Sequence, residues 1–331
     1  MNTITISGKP VFIVGMNGSG TTMMLNCLNA HQELYGFPRE TLVIPHYVRT
    51  LSDYGDLNNA RNFEALWNSF RSVSCFSSVN GGAPPELPKN WQDYPHTLSS
   101  VIDATFTYFA QNQGKRRWCE KTPMHAQHIV ALHGLFPQAY FIHMIRDGRS
   151  CAASFHRRWS YIPQRTIYRW KNVIIAARQQ AEESGARYLE VFYESLTSDP
   201  DTEMRKVCEF LDVPFDNAVL SPSRKPKHSG SSAETIVSTT PRWKTHFSKH
   251  TVRALESIAG RTLSDLGYKV DVSSGDTDPS LTAILFWAMR DHLRGMARLA
   301  WQQVKTPKDE QWENLSSRVK RAIQQRLSSR F

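Results

Sequence analysis

Three hydroxyl residues, Ser19, Thr21 and Thr22, stand among glycines in the stretch PVFIVGMNGSGTTMMLN at residues 10–26. Glycines at 15, 18 and 20 permit tight or left-handed backbone, so amide N–H groups can converge on one point. The hydroxyls fall where an apolar helix through Met23, Met24, Leu25 and Leu28 would begin. Converging amides at the positive end of a helix dipole, with hydroxyls beside them, hold a phosphate. Val11, Phe12, Ile13 and Val14 form the short apolar run of a central parallel strand just before. Asn17, Gly18, Ser19, Gly20, Thr21 and Thr22 are therefore candidate anion-binding residues at the end of a first strand.

The spacing Gly15-x-x-x-x-Gly20-Thr21-Thr22 is that of a Walker A loop, with Thr21 where the lysine belongs. A nucleoside triphosphate enzyme needs that lysine on the β- and γ-phosphates together with Mg²⁺, so a kinase or NTPase is the weaker reading. The bland alternative is a glycine turn without a ligand. A second cluster, RDGRSCAAS at 146–154, follows the apolar run AYFIHMI at 139–145. An arginine at the carboxyl end of a parallel strand lies on the ligand-binding edge of the sheet. Arg146 can grip a phosphate bidentately, and Ser154, eight residues on and about two helical turns away, can add a bond. The alternative is an Arg–Asp turn that caps a helix; Asp147 as a magnesium ligand is set aside with the missing lysine.

These groups need strands and helices to hold them. The first helix runs to about residue 30, and 31–45 (HQELYGFPRETLVIP) reads as a loop returning over the first strand, with Glu40 among apolar residues. Helical periodicity follows over 59–73 and 98–109, separated by a proline-rich surface connection at 81–95. A short strand is expected at 116–120, then a helix over 123–136 with Pro123 in its first turn. After the strand at 139–145 come a helix through Ala152 and Phe155, a long amphipathic helix over 161–184 and a strand over 187–193. Strands alternating with helices imply an α/β fold: a P-loop-like, mostly parallel sheet flanked by helices. The Ser/Thr/Pro/Lys-rich stretch 221–240 has the composition of a flap.

Composition narrows the class. A chain of 331 residues with 40% hydrophobic content can bury one large core or one domain with an appendage. Its five cysteines lack CxxC spacing, which points to reduced thiols and no metal site. Residue 9 leads into strand with no apolar leader, and no apolar run is long enough to span a bilayer, so a cytoplasmic chain is expected. The net charge of +10 suits an anionic ligand or surface and identifies neither.

Taken together, the two sites resemble those of PAPS-dependent sulfotransferases, whose 5′-phosphosulfate loop reads like PRSGTT and whose 3′-phosphate motif reads like R-D-x-R-x-x-x-x-S. Lys121-Thr122-Pro123 is similar to the lysine motif of the bacterial and protein-tyrosine branches, and Arg39-Glu40-Thr41 to the segment that carries the catalytic glutamate in tyrosylprotein sulfotransferases. Tyr193-Glu194 matches the family's late-strand tyrosine near the adenosine, and LSDLGY at 263–268 its closing segment. The resemblance spans about residues 9–270. It implies PAPS as donor, PAP as product and no metal. It further implies 5′-end binding by residues 17–22, 3′-phosphate binding by Arg146 and Ser154, Tyr193 near the adenosine, and Glu40 as general base toward a hydroxyl acceptor in an in-line displacement. One departure matters: members usually carry Arg or Lys where this chain has Gly18, and Lys121 is the candidate to supply that cation. His31, His46 and His125 are alternative bases. A non-catalytic sulfonucleotide-binding protein is the alternative that Gly18 favours.

The expected organisation is a sulfotransferase domain over 1–272 and a basic helical extension over 273–331. From Ser280 onward the chain has ten Lys/Arg against four Asp/Glu, and Leu281, Ile284, Leu285, Trp287 and Ala288 alternate with Arg290, Arg294 and Arg298. Such a helix either packs on the body or lies on a membrane surface, which would make the protein peripheral. Tyr47, Tyr54, Phe76, Trp91 and Tyr94 are expected to wall the acceptor pocket, which suits a small phenol, a carbohydrate, a lipid head group or a peptidyl tyrosine. Nucleic acid is not an expected partner.

Overall fold

A computed structural model describes residues 9–222, 241, 243–271 and 276–305, with side chains as far as residue 297. Five strands, β1 (Val11–Gly15), β2 (Leu34–Gly36), β3 (Arg117–Lys121), β4 (Tyr140–Ile145) and β5 (Arg187–Phe192), form one parallel sheet in the order β2-β3-β1-β4-β5. Parallel neighbours need crossovers, and helices supply them: α1 (Thr21–Ala30), α2 (Ile44–Arg49), α3 (Ala60–Arg71), α4 (Ser74–Ser77), α5 (Leu98–Gln111), α6 (Ile129–Leu135), α7 (Gly148–Trp159), α8 (Pro163–Ser184), α9 (Tyr193–Ser198) and α10 (Pro200–Phe210). Further on lie α11 (Trp243–His246), α12 (Lys249–Asp265) and α13 (Leu281–Lys305). Among the described residues no helix is long and apolar enough to cross a membrane.

The chain divides into two compact units, one of Met1–Ile145 with Ala176–Ser238, the other of Arg146–Ile175 with Thr239–Phe331. In the first unit the sheet is buried on both faces, because alternate side chains of β1 point opposite ways. Val11 and Ile13 join Met24, Leu28, Met144, Val191 and Val207 in one apolar layer. Phe12 goes to the other, stacked on Phe141 at 5.4 Å and edge-on to Trp118 at 5.6 Å, while Phe106 stacks on Trp118 at 4.5 Å. Truncating a fully buried ring such as Phe12 to alanine costs about 3–5 kcal/mol. The strand order reverses at β1, with β3 on one side and β4 on the other, so its carboxyl end is the sheet's switch point, where open α/β sheets bind ligands.

In the second unit Asp147 caps α7 by accepting from the Arg149 amide at 2.8 Å. The Arg149 guanidinium is then held by Asp147 at 2.8 Å and by Glu256 of α12 at 2.5 Å, under the Trp243 ring. Asp291 of α13 is buried and accepts from the Ile162 amide at 3.0 Å and from Arg165 at 2.9 Å. That fixes one side of α13. On the other, Leu281, Leu285, Phe286, Met289, Leu293 and Met296 are each more than half exposed.

Three local expectations change. The expected loop at 31–45 contains edge strand β2, whose three residues are too short to show a period, and it runs into α2. The expected helix at 123–136 is a 3₁₀ turn, Pro123–Gln127, then α6, broken where His128 takes φ −137°. Tyr193 opens α9 instead of ending the strand. The flap expected at 221–240 lies almost wholly outside the described residues, as do residues 306–331 of the extension.

Candidate active site

The hydroxyl loop leaves β1 at its carboxyl end and turns on a bond from the Ser19 amide to the Met16 carbonyl at 3.0 Å. Gly20 is the N-cap of α1, and among the described residues no side chain caps that helix end. Its φ of +101° is left-handed, and an added Cβ would lie 2.6 Å from the Tyr193 ring, so only glycine lets tyrosine and loop approach. Ser19 Oγ is buried and has no hydrogen-bond partner among the described residues. A buried hydroxyl without a partner costs about 1–3 kcal/mol, which an anion accepting from it would recover. The uncapped helix end and this hydroxyl thus fit the phosphosulfate end of a sulfonucleotide. Thr21 is buried beside it, Thr22 exposed, and Asn17 and Gly18 half-buried.

Lys121 ends β3 opposite Ile13 of β1, two residues short of Gly15, and so stands beside the first strand's carboxyl end. Its Nζ is 2.5 Å from Glu40 Oε1. The lysine side chain is 7% exposed and that of Glu40 34%, so the pair has a dry cation and a carboxylate that meets solvent. Candidate base and candidate cation therefore share one hydrogen bond, a link their separation of 81 positions in sequence could not show.

Sequence reasoning missed the group beneath this pair. Glu120 is fully buried in β3, yet Oε1 accepts from the Thr41 amide at 3.4 Å, from Thr41 Oγ1 at 3.2 Å and, in a short bond, from Thr122 Oγ1. Its Oε2 lies 3.0 Å from His125 Nδ1. Burial alone would raise the Glu120 carboxyl, but His125 and the hydroxyl and amide donors hold it below the usual carboxylate range. The available signal was an acidic residue inside the otherwise buried strand RWCEK. Buried charges without partners are rare, so such a residue calls for a network.

Arg146 and Ser154 belong to the second unit. Arg146 is the first residue after β4, its carbonyl accepts from Trp170 Nε1 at 3.0 Å, and Ser154 is half-buried on α7. Asp147 is the cap of α7 and the partner of Arg149. Of the histidines weighed as bases, His31 is buried and bound to the Pro214 carbonyl at 2.9 Å, and His125 is buried on Glu120; His46 is exposed. Of the expected pocket-wall rings, Phe76 is instead part of the core, packed on Phe37 and Phe106, and Tyr47 is buried. Tyr54, Trp91 and Tyr94 remain half-exposed. The five cysteines are thiols and not disulfides, and burial pushes the Cys75 thiol up to about 12.

A model of the family described as "Sulfotransferase family" matches residues 10–217. "Protein-tyrosine sulfotransferase A" of Caenorhabditis elegans is 30% identical over 220 residues, which are 63% of this chain and 51% of that protein. "Protein-tyrosine sulfotransferase" of Drosophila melanogaster is 28% identical over 225 residues, 63% of this chain and 39% of that protein. The chain thus spans about half the length of these relatives, or less. Among solved structures, the sulfotransferase domain from the Synechococcus PCC 7002 olefin synthase aligns over 79% of this chain and 95% of its own, at 20% identity and a TM-score of 0.49.

Proposed function

Because the chain belongs to the sulfotransferase family, we propose that it moves a sulfuryl group from PAPS to a hydroxyl acceptor, with peptidyl tyrosine the first acceptor to test. The observation that carries this reading is the register of β3 on β1, which sets the Lys121–Glu40 pair next to the strand that delivers the hydroxyl loop. The loop amides, Ser19, Thr21 and Thr22 would hold the 5′ phosphosulfate, Tyr193 would lie near the adenosine, and Arg146 with Ser154 would hold the 3′-phosphate. Bound PAPS supplies the sulfuryl group and leaves as PAP. Glu40, the partner open to solvent, takes the proton from the acceptor hydroxyl as general base. Lys121, dry and cationic, stabilises the electron pair left on the phosphate oxygen, the role its family gives to the residue that is Gly18 here. Placement of acceptor and leaving oxygen in line supplies the rest.

The catalytic part is proposed to be residues 1–272, with 273–331 as a basic extension. The exposed stripe of α13, with Arg290 at its edge, supports contact with an anionic lipid surface: exposed Leu, Phe and Met beside arginine is the pattern of interfacial helices. Co-sedimentation with phosphatidylserine vesicles, lost in Leu285→Glu, checks it.

Calorimetry with PAP and with ATP–Mg²⁺ tests the donor assignment. PAP binding with little or no ATP binding supports it; preference for ATP–Mg²⁺ would return the loop to the kinase reading.

A further inference from the structure

We infer that Glu120 is a positioning residue that sets Glu40 against Lys121, an inference that rests on the reading of Glu40 as the base. The geometry is that of a clamp. One carboxylate oxygen gathers the amide and hydroxyl of Thr41, the residue after Glu40, together with the hydroxyl of Thr122, the residue after Lys121. Thr122 Oγ1 closes the ring by accepting from the same Thr41 amide at 3.1 Å. The other oxygen holds His125, whose ring lies edge-on to Phe12 of β1 at 6.3 Å. Loop and strand end are thereby pinned to the central strand through a single buried side chain.

The backbone gives an independent sign that the loop is held. Leu42, next to Thr41, has φ +58°, a left-handed conformation that a branched side chain seldom adopts. Strain of this kind persists only where neighbouring contacts over-determine the chain, and the Thr41 bonds to Glu120 and Thr122 are such contacts. Released from them, Leu42 would relax toward negative φ and carry Glu40 off Lys121. Glu120 is fully buried and its oxygens are taken up by Thr41, Thr122 and His125, so it acts through Thr41 and Thr122 and not on the acceptor.

The test is Glu120→Asp, which keeps the charge but withdraws the carboxylate by one methylene. Labelled PAPS and a tyrosine-bearing peptide report turnover, PAP calorimetry reports the nucleotide site, and amide exchange of residues 39–43 reports the loop without ligand. The expected result is faster exchange at Thr41 and Leu42, PAP affinity within about 2-fold, and kcat lower by about 10²-fold, the scale of a 1 Å misplacement. In a Glu40→Gln background the same change should cost no more than about 3-fold further, because groups that act as one unit are non-additive. Multiplying losses, or unchanged exchange at Thr41, would overturn the clamp. If Glu40→Gln alone leaves turnover intact, the base assignment fails instead, while exchange still reads the hold of Glu120 on the loop. Should Glu120→Asp not fold, Thr41→Val removes the hydroxyl bond alone and is expected to give the same pattern at smaller size.

Discussion

Replacing Lys121 with methionine removes the cation and keeps the buried stem, and the structure sets the size of both consequences. The lysine side chain is 7% exposed, whereas its partner Glu40 is 34% exposed and can be rehydrated when the lysine is gone. Loss of the ion pair should therefore cost folding stability only about 1 kcal/mol. If Lys121 stabilises charge on the leaving oxygen, its interaction strengthens in the transition state, so rate falls more than ground-state binding. Removal of one such donor from a preorganised site costs about 10²–10³-fold, or about 2.7–4 kcal/mol. Turnover with labelled PAPS, calorimetry with PAP and a thermal melt separate these effects. The expected outcome is a rate loss of that size, PAP affinity within a few-fold, and a small shift in Tm. A parallel fall of rate and PAP affinity, or turnover within about 3-fold of wild type, would refute the role. Gly18→Arg, which rebuilds the family's usual residue, is expected not to rescue, because Gly18 has φ +90° and any side chain there strains the loop.

Three further outcomes are expected. Arg146→Ala should weaken PAP binding by roughly 2–5 kcal/mol, the range for removing one partner of a desolvated charge pair, and unchanged affinity in a folded variant removes Arg146 from the 3′-phosphate site. Glu40→Gln should keep PAP affinity and lower turnover by roughly 10²–10⁴-fold; near-normal turnover would move the base to a histidine, of which His46 is the exposed one. Burial holds the His143 imidazole down at about 4, against about 6.5 in an unfolded chain, so the unfolded state takes up its proton first. Its contribution to stability is therefore complete above about pH 6.5 and falls by about 3 kcal/mol as pH drops toward 4. His128, also pushed down to about 4, adds in the same direction. Urea titrations at pH 7 and 4.5 should show the loss, and His143→Gln should make it smaller.

The parts of the fold legible in the sequence are those where one physical signal dominates. β1 is a continuous apolar run and β4 is interrupted only by His143, and buried parallel strands cannot hide such a pattern. The loop at 15–20 announces itself because glycine spacing and hydroxyls coincide, and the positive φ of Gly15, Gly18 and Gly20 accounts for all three glycines. β2 was not legible, since Leu34–Gly36 offers three residues and one of them is glycine. Pro123 signals a helix start, but the chain makes one 3₁₀ turn there and places His125 on Glu120 before α6 begins. Phe76 shows the limit of reading aromatic residues as pocket walls: nothing in its local sequence separates a core ring from a lining one. That Glu40 and Lys121 are candidates is legible from their motifs. Their bond is not, because it joins residues 81 positions apart, beside the point where Thr41 meets Glu120 and Thr122 at the end of β3.

Sulfuryl transfer is read directly by following label from PAPS to a tyrosine-bearing peptide, with wild-type protein and Glu40→Gln run side by side. The expected result is label on the tyrosine oxygen and stoichiometric PAP with the wild type, and a fall of roughly 10²–10⁴-fold with Glu40→Gln at unchanged PAP affinity. Tight PAP binding without transfer to the peptide or to any of a panel of phenols, sugars and lipid head groups would contradict it, and would make the chain a sulfonucleotide-binding protein instead.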